Sequence, residues 1–249
     1  VGDTTSFQVA YNGEAVADNL MDVQDLAPSL LHLGRAIDRA NKVVNGEDSS
    51  VRVMVRADFQ SGSFEVVLEI IQTLAERLGE ILRLSGPLTP LQILEILGIT
   101  AGSGVGLIKL IKFIQGRKFS TEPLSDNQVL VQIEGENNQV TVEQTVLNLF
   151  NDAQTRRALN KALSPLGEKG IDSIEFRRDK SSEEIIHQLE LPYFSGFEID
   201  EEERVNSQRI GLLVAKPSFV RGWKWTFDNG QAFITVTMAD EKLLQDIDQ

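Results

Sequence analysis

The sequence predicts an α+β fold of antiparallel strands with grouped helices. Three observations carry this reading. Residues 51–71 alternate apolar and polar side chains at the period of a strand, and residues 72–118 place apolar side chains at the period of a helix. Residues 209–238 then return to strand alternation around a tight-turn dipeptide. A regular βαβα order, which would indicate a parallel sheet, is absent from the pattern.

Residues 6–11, Ser-Phe-Gln-Val-Ala-Tyr, read as a strand that stops at Asn12-Gly13. A helix follows. Asp25 is the expected N-cap, Leu26, Leu30, Leu33, Ile37 and Val44 share one stripe, and Asn45-Gly46 ends it. His32 falls off the stripe and is expected to face solvent. In the next segment Val51, Val53 and Val55 alternate with Arg52, Met54 and Arg56. After Gln60-Ser61-Gly62, Phe64, Val66, Leu68 and Ile70 alternate with Glu65, Val67 and Glu69. A turn centred on Gln60-Ser61 places Arg56 opposite Glu65 and Arg52 opposite Glu69, with the valines meeting Val66 and Leu68. That register gives both carboxylates a structural partner.

Beyond Gln72, Leu74, Leu78 and Ile81 mark a helix closed by Ser85-Gly86-Pro87. Thr89 caps a second helix with Pro90 at its first position, and this runs to Leu97. A small-residue stretch, Gly98 to Gly106, leads to a third helix with Lys109 and Lys112 among its apolar residues. It stops at Gly116-Arg117-Lys118. A hairpin is expected from Val129–Ile133 and Val140–Val142, then helices around Val146–Phe150 and Arg156–Leu163, and a strand at Ile171–Phe176. Pro192 to Glu203 reads as loop. Ile210–Ala215, Gly222–Phe227 and Ala232–Met238 form a meander in which Asn229-Gly230 pairs Trp225 with Ile234 and Trp223 with Val236. Asp240 caps a short last helix. A change from apolar helices to polar residues at Gly116–Asp126 divides the chain into an α+β domain of residues 1–120, holding the apolar helical hairpin of 72–118, and a second of residues 121–249 that ends in the meander and short helix.

Composition narrows the function classes. With 24 Lys plus Arg against 37 Asp plus Glu, the formal charge is −13, which disfavours a nucleic-acid partner. The one dense acidic run, Glu198 to Glu203, reads as a solvated loop. Basic residues gather instead at Arg156, Arg157, Lys161, Arg177 and Arg178, a candidate basic patch. There are no cysteines, so disulfides, thiolate metal sites and cysteine nucleophiles are excluded. Val1 to Ser6 carries neither a basic region nor an apolar run, which predicts a cytoplasmic protein without a signal peptide.

Chemistry-bearing patterns are sparse. The two histidines, His32 and His187, sit in no nucleophile or metal-ligand motif. Gly102-Ser103-Gly104-Val105-Gly106 follows a helix and lacks both the dinucleotide spacing and a Lys-Ser/Thr ending. Asp246-Ile247-Asp248 lies at the C-terminal end. No catalytic residue, cofactor or metal ligand is therefore assigned.

Residues 91–114 stand out. If they were helical throughout, Gly98, Gly102 and Gly106 would share one face at the spacing that lets helices approach closely in membranes. The charge-free interval between Glu95 and Lys109 is only 13 residues, whereas a span needs about 20. The favoured reading is a helical hairpin turning through Ala101–Gly104, with Ser103 capping the third helix.

The runs Asp25-Leu26-Ala27-Pro28-Ser29-Leu30, Ala40 to Gly46 and Ala57 to Val66, with Trp223-Lys224-Trp225-Thr226-Phe227 near the end, resemble a set of uncharacterised bacterial proteins. The resemblance implies a bacterial or phage source and no particular activity. The leading functional expectation is a non-catalytic assembly or binding protein, a homo-oligomer joined through its apolar helices. The first alternative is a membrane-active, triggered pore-forming effector that uses Gly98, Gly102, Gly106, Lys109 and Lys112. The second is a carboxylate- or metal-dependent enzyme.

Overall fold

In the computed structural model, which describes residues 3–47, 49–56, 64–73, 87–124, 127–178, 183–195, 213–216, 224–228 and 233–237, Thr4–Asn12 (β1) is the middle strand of a five-stranded antiparallel sheet. Ser50–Arg56 (β2) and Phe64–Thr73 (β3) lie to one side of it, while Ser173–Arg177 (β7) and Glu183–His187 (β8) lie to the other. The order is β2-β3-β1-β7-β8. Strand alternation puts Phe7, Val9 and Tyr11 on one face with Val66, Leu68, Ile70, Ile174 and Phe176, all buried. The sheet thus takes three strands from before the 116–126 interval and two from after it. One apolar core runs from Phe7 to Phe194.

The β2–β3 hairpin forms with the expected faces and a different register. Glu69 stands opposite Met54, and Arg56 stands opposite Val67. The slip is two residues, so the faces are preserved while the expected Arg–Glu pairs are not made. Burial fixes which face looks inward, but turn length sets the register, and turn residues 57–63 lie outside the described residues. β3 also continues through Gln72 and Thr73, where helix was expected.

Val23–Asn45 (α1) crosses the inner face of this sheet. It starts one turn earlier than expected, because Asp22, not Asp25, is the N-cap and accepts a hydrogen bond from the Gln24 N–H at 2.8 Å. Asp25 sits in the first turn, where a negative charge opposes the helix dipole favourably. Leu33, Ile37 and Val44 are buried, Leu26 and Leu30 pack at the margin, and Gly46 closes the helix at φ 94°. The Tyr11 hydroxyl meets Ser29 Oγ at 2.9 Å, and Ser29 donates to the Ala162 carbonyl, tying sheet, α1 and the later helix end together. Burial pushes the Tyr11 phenol up to about 12.

Pro90–Leu97 (α2) has the expected Thr89 cap, completed by Gln92 into a capping box. Leu107–Ile114 (α3) starts from Gly106 and not from Ser103. Phe119–Pro123 (β4), Gln128–Ile133 (β5) and Gln139–Glu143 (β6) make a second antiparallel sheet, in which β4 was not foreseen. Gln144–Asn151 (α4) packs on β5 and β6, and Phe119 meets Phe150 edge-on at 5.5 Å. Ala153–Ala162 (α5) lies along α1, and Leu191–Ser195 (α6) lies against α3 and α5, where loop was expected. The helices therefore connect one sheet to the other.

Leu213–Lys216 (β9), Lys224–Asp228 (β10) and Phe233–Thr237 (β11) form the expected meander, with β11 against α1. Trp225 opposes Val236, again two residues from the expected register, and stacks on Phe227 at 6.0 Å. The expected helices at 74–85 and after Asp240, the Asn229-Gly230 turn, Trp223, the acidic run 198–203 and Asp246 to Asp248 lie outside the described residues.

Candidate functional site

The glycine segment is a backbone crossing. α2 ends at Leu97, and Gly98 takes a left-handed conformation with φ 80°. The chain then returns so that Gly106 abuts Gly98: a β-carbon on Gly106 would lie 2.5 Å from both the nitrogen and the α-carbon of Gly98. Gly102 sits over Glu95 with less constraint. The small residues do permit close approach, but between two eight-residue helices of one hairpin and not along a single long helix. Ile93, Leu94, Ile96, Leu97, Leu107, Ile108, Leu110, Ile111 and Ile114 are all buried in this chain's own core. Among the described residues, no helix is long and apolar enough to cross a membrane.

Lys109 and Lys112 face the β8–α6 connection. Lys112 Nζ lies 3.1 Å from both Glu184 and Glu190 and also donates to the Ile185 carbonyl, while Lys109 lies 3.8 Å from Glu184. Glu184 points to the inner side of the sheet beside Ile186 and is buried. Lys112 supplies the charge that this carboxylate needs once it is removed from water, and so fastens the edge strand β8 to α3. In the sequence, the only trace of this arrangement was the alternation of Glu184 and Ile186 on one side of Ile185.

The five residues of the candidate basic patch lie on two different surfaces. Arg177 is on the sheet face directed away from the helices, 2.8 Å from Glu65 across β1 and paired also with Glu175. Arg178 follows it and is exposed. Arg156, Arg157 and Lys161 are on α5, on the helical side. Arg156 is half-buried, its guanidinium 5.5 Å above the Phe150 ring.

Arg157 and Lys161 belong to a groove of about 410 Å³ between α1 and α5 that is lined mostly by charged residues. From α1 come His32, Arg35, Asp38, Arg39 and Lys42, and Glu47 follows the helix. His32 is half-buried instead of solvent-facing, because α5 runs beside it. Its pKa is held below the ordinary value, by partial burial first and then by the charges of Arg35 and Lys161. The two carboxylates in the groove are engaged: Asp38 with Lys42 at 2.7 Å, and Glu47 with Arg39 at 2.7 Å. Among the described residues, Arg35 and Lys161 have no hydrogen-bond or ion-pair partner.

Asp152, outside the lining itself, anchors Arg39 of the groove. It caps α5 through the Thr155 N–H and hydroxyl, each at 2.7 Å, and takes a forked contact from Arg39 with Nη2 at 2.8 Å. Burial raises its pKa, but the hydrogen bonds from Arg39 and Thr155 outweigh that and leave it below the ordinary carboxylate value. A depressed carboxyl pKa contributes stability that is present above the unfolded value and is lost as pH falls through the folded value. Asp152→Asn keeps the cap and removes the charge pair. We expect it to cost about 1 kcal/mol at pH 7, part-exposed Arg39 limiting the effect. The gap between variant and wild type should stay constant down to pH 5 and close as pH falls below 4, as measured by urea unfolding across that range.

Among the described residues, two edge strands carry exposed apolar side chains. β2 ends the five-stranded sheet with Met54 and Val55 at 43% and 60% exposure, and β9 ends the meander with Leu213 and Val214 exposed. Among the described residues, no group of three or more histidine, aspartate or glutamate side chains is placed to hold a metal ion. No family model matches the chain, and neither a curated protein nor a solved structure is similar to it.

Proposed function

We propose that this chain is a non-catalytic assembly protein that pairs with a second copy along the edge of β2 that no described strand covers. The observation that carries the reading is the row Val51, Val53, Val55 on one side of that strand. Its exposure rises from buried through half-buried to 60% as the strand leaves the cover of α1. An unpaired edge strand with apolar side chains is a template for another strand, which natural proteins otherwise blunt.

The strand is self-complementary. Antiparallel pairing about Val53 sets Val51 of each copy against Val55 of the other, and Arg52 against Met54. Pairing about Met54 would oppose Arg52 to Arg56, so the Val53 register is the one without a like-charge contact. A contact built on a seven-residue strand is small and gives a weak, concentration-dependent dimer. The apolar residues of α2 and α3 are consumed in the core, which is why the edge and not the helical hairpin carries the contact.

Native mass spectrometry and light scattering test the reading. Wild type should convert from monomer to dimer as its concentration rises to about 100 μM, the range of weak association. Val55→Lys, which places a charge on the edge without touching the core, should remain monomeric with an unchanged circular dichroism spectrum. A wild type that is monomeric throughout, or a Val55→Lys variant that dimerises as well as wild type, overturns the proposal.

A further inference from the structure

We infer that the groove between α1 and α5 binds a compact, soluble phosphate-bearing molecule, held by Arg35, Arg157 and Lys161 beside His32. This inference is independent of pairing at the β2 edge. Its first support is the local charge. Five cationic side chains and two carboxylates line the groove of a chain whose formal charge is −13, so positive charge is concentrated there against the general trend. Its second support is how that charge is spent. Asp38 and Glu47 are committed to Lys42 and Arg39, which also holds Asp152, while Arg35 and Lys161 have no partner among the described residues.

The position is built and not incidental. Arg35 and His32 are on one helix and Arg157 and Lys161 on the other. The two helices are tied to each other beside the groove by the forked contact of Arg39 on α1 with Asp152, the N-cap of α5. Guanidinium groups present planar pairs of donors that match phosphate oxygens, and an ammonium adds a point charge. A volume of about 410 Å³ has room for a phosphorylated small molecule. Ala158 is the only apolar residue of the lining, so the groove offers nothing to an acyl chain. A phospholipid headgroup shares the phosphate chemistry but would leave its tails without a partner.

The groove also carries its own pH response. The charges that act on His32 are Arg35 from α1 and Lys161 from α5, while Asp38, Arg39, Lys42, Glu47 and Arg157 line the same groove. Partial burial first, and then the Arg35 and Lys161 charges, disfavour protonation of His32. An anion placed among them reverses that, so proton and ligand favour each other and affinity rises as pH falls.

Isothermal titration calorimetry with pyrophosphate is the test, at low ionic strength because the contacts are screened by salt. Wild type should bind with a submillimolar dissociation constant, and Arg35→Glu and Lys161→Glu should each weaken binding at least tenfold. Lys118→Glu, an exposed charge change just before β4, should leave binding unchanged, and thermal melting should confirm that all three variants fold. For the pH arm sulfate is the probe, because its charge is constant between pH 7.5 and 5.5. Its affinity should rise severalfold over that interval in wild type and stay flat in His32→Gln. Absence of pyrophosphate binding, an equal loss in Lys118→Glu, or binding confined to phosphatidate vesicles overturns the inference. So does retained binding in the folded Arg35→Glu and Lys161→Glu variants.

Discussion

Gly106→Ala should lower the unfolding free energy by more than about 3 kcal/mol, the upper end of what overpacking a core costs. The reason is the identity of the atoms in the way. The added β-carbon would stand 2.5 Å from the nitrogen and α-carbon of Gly98 and 2.8 Å from the Glu95 carbonyl oxygen. Those are backbone atoms of the last turn of α2, and no side-chain rotation relieves the clash. To make room, α2 and α3 must separate, and their apolar faces are fully packed. Gly116→Ala is the control. Gly116 has a positive φ of 73°, whereas Gly106 is extended at φ −81°, and no atom lies within 4 Å of the would-be β-carbon at 116. It should cost only about 1 kcal/mol, the penalty of a left-handed alanine. Guanidinium unfolding of both variants reads the difference. A Gly106→Ala loss no larger than that of Gly116→Ala would mean that the close approach of the two helices is relieved at little cost.

Gly106 also shows what the sequence conveyed and what it did not. The spacing of Gly98, Gly102 and Gly106 signalled a close approach, and a close approach is present. Spacing alone does not say which two segments meet, because that depends on whether the interval stays helical. Here Gly98 ends one helix and Gly106 begins the next. The hairpins behave in the same way. Alternation in Val51–Val55 and Phe64–Ile70 fixed the inward face, since a one-residue slip would bury charges. A two-residue slip leaves every face unchanged, and nothing local opposes it. Strand β7 pairs with β1 across more than 160 residues, a contact that no window of sequence contains, and β8 joins the sheet through β7. β4 was hidden for another reason. Phe119-Ser-Thr-Glu-Pro is a short, polar edge ending at Pro123, and its single apolar ring is all that it gives to the core.

The groove was half legible. Arg156, Arg157 and Lys161 announce a basic stretch of helix, but their counterparts on α1 are more than a hundred residues earlier. His32 was read as solvent-facing because the stripe of α1 defines only the face toward the sheet. A helix in the interior layer has two partners, and the second lies on its other flank. Arg39 carried the available signal, since a long cation flanking the apolar face of a helix often marks a neighbour with a capping carboxylate, here Asp152.

Asn41→Leu is expected to cost about 3 kcal/mol despite replacing a polar group in the interior by an apolar one of similar size. Asn41 is fully buried on the stripe of α1 between Ile37 and Val44. Its carbonyl oxygen accepts from Asn45 Nδ2 and from Gln72 Nε2, each at 2.9 Å, and its own amide donates to Ser49 Oγ at 3.0 Å. Asn45 and Gln72 spend their remaining donors on the Leu88 carbonyl, and Asn45 Oδ1 accepts from the Leu88 N–H at 2.8 Å. A leucine leaves one N–H of Asn45 and one of Gln72 buried without an acceptor, and each such loss costs about 1–3 kcal/mol. Asn41→Ala should be milder, at about 2 kcal/mol, because the space released at a polar site admits a water that restores part of the bonding. The order of the two losses is the informative result, since burial of apolar area alone predicts the reverse. Amide exchange at Leu88 should accelerate in both variants. The network joins the end of β3 at Gln72 to the approach to α2, and Leu88 is its meeting point. If Asn41→Leu is the more stable of the pair, packing and not hydrogen bonding holds α1, β3 and α2 together at this point.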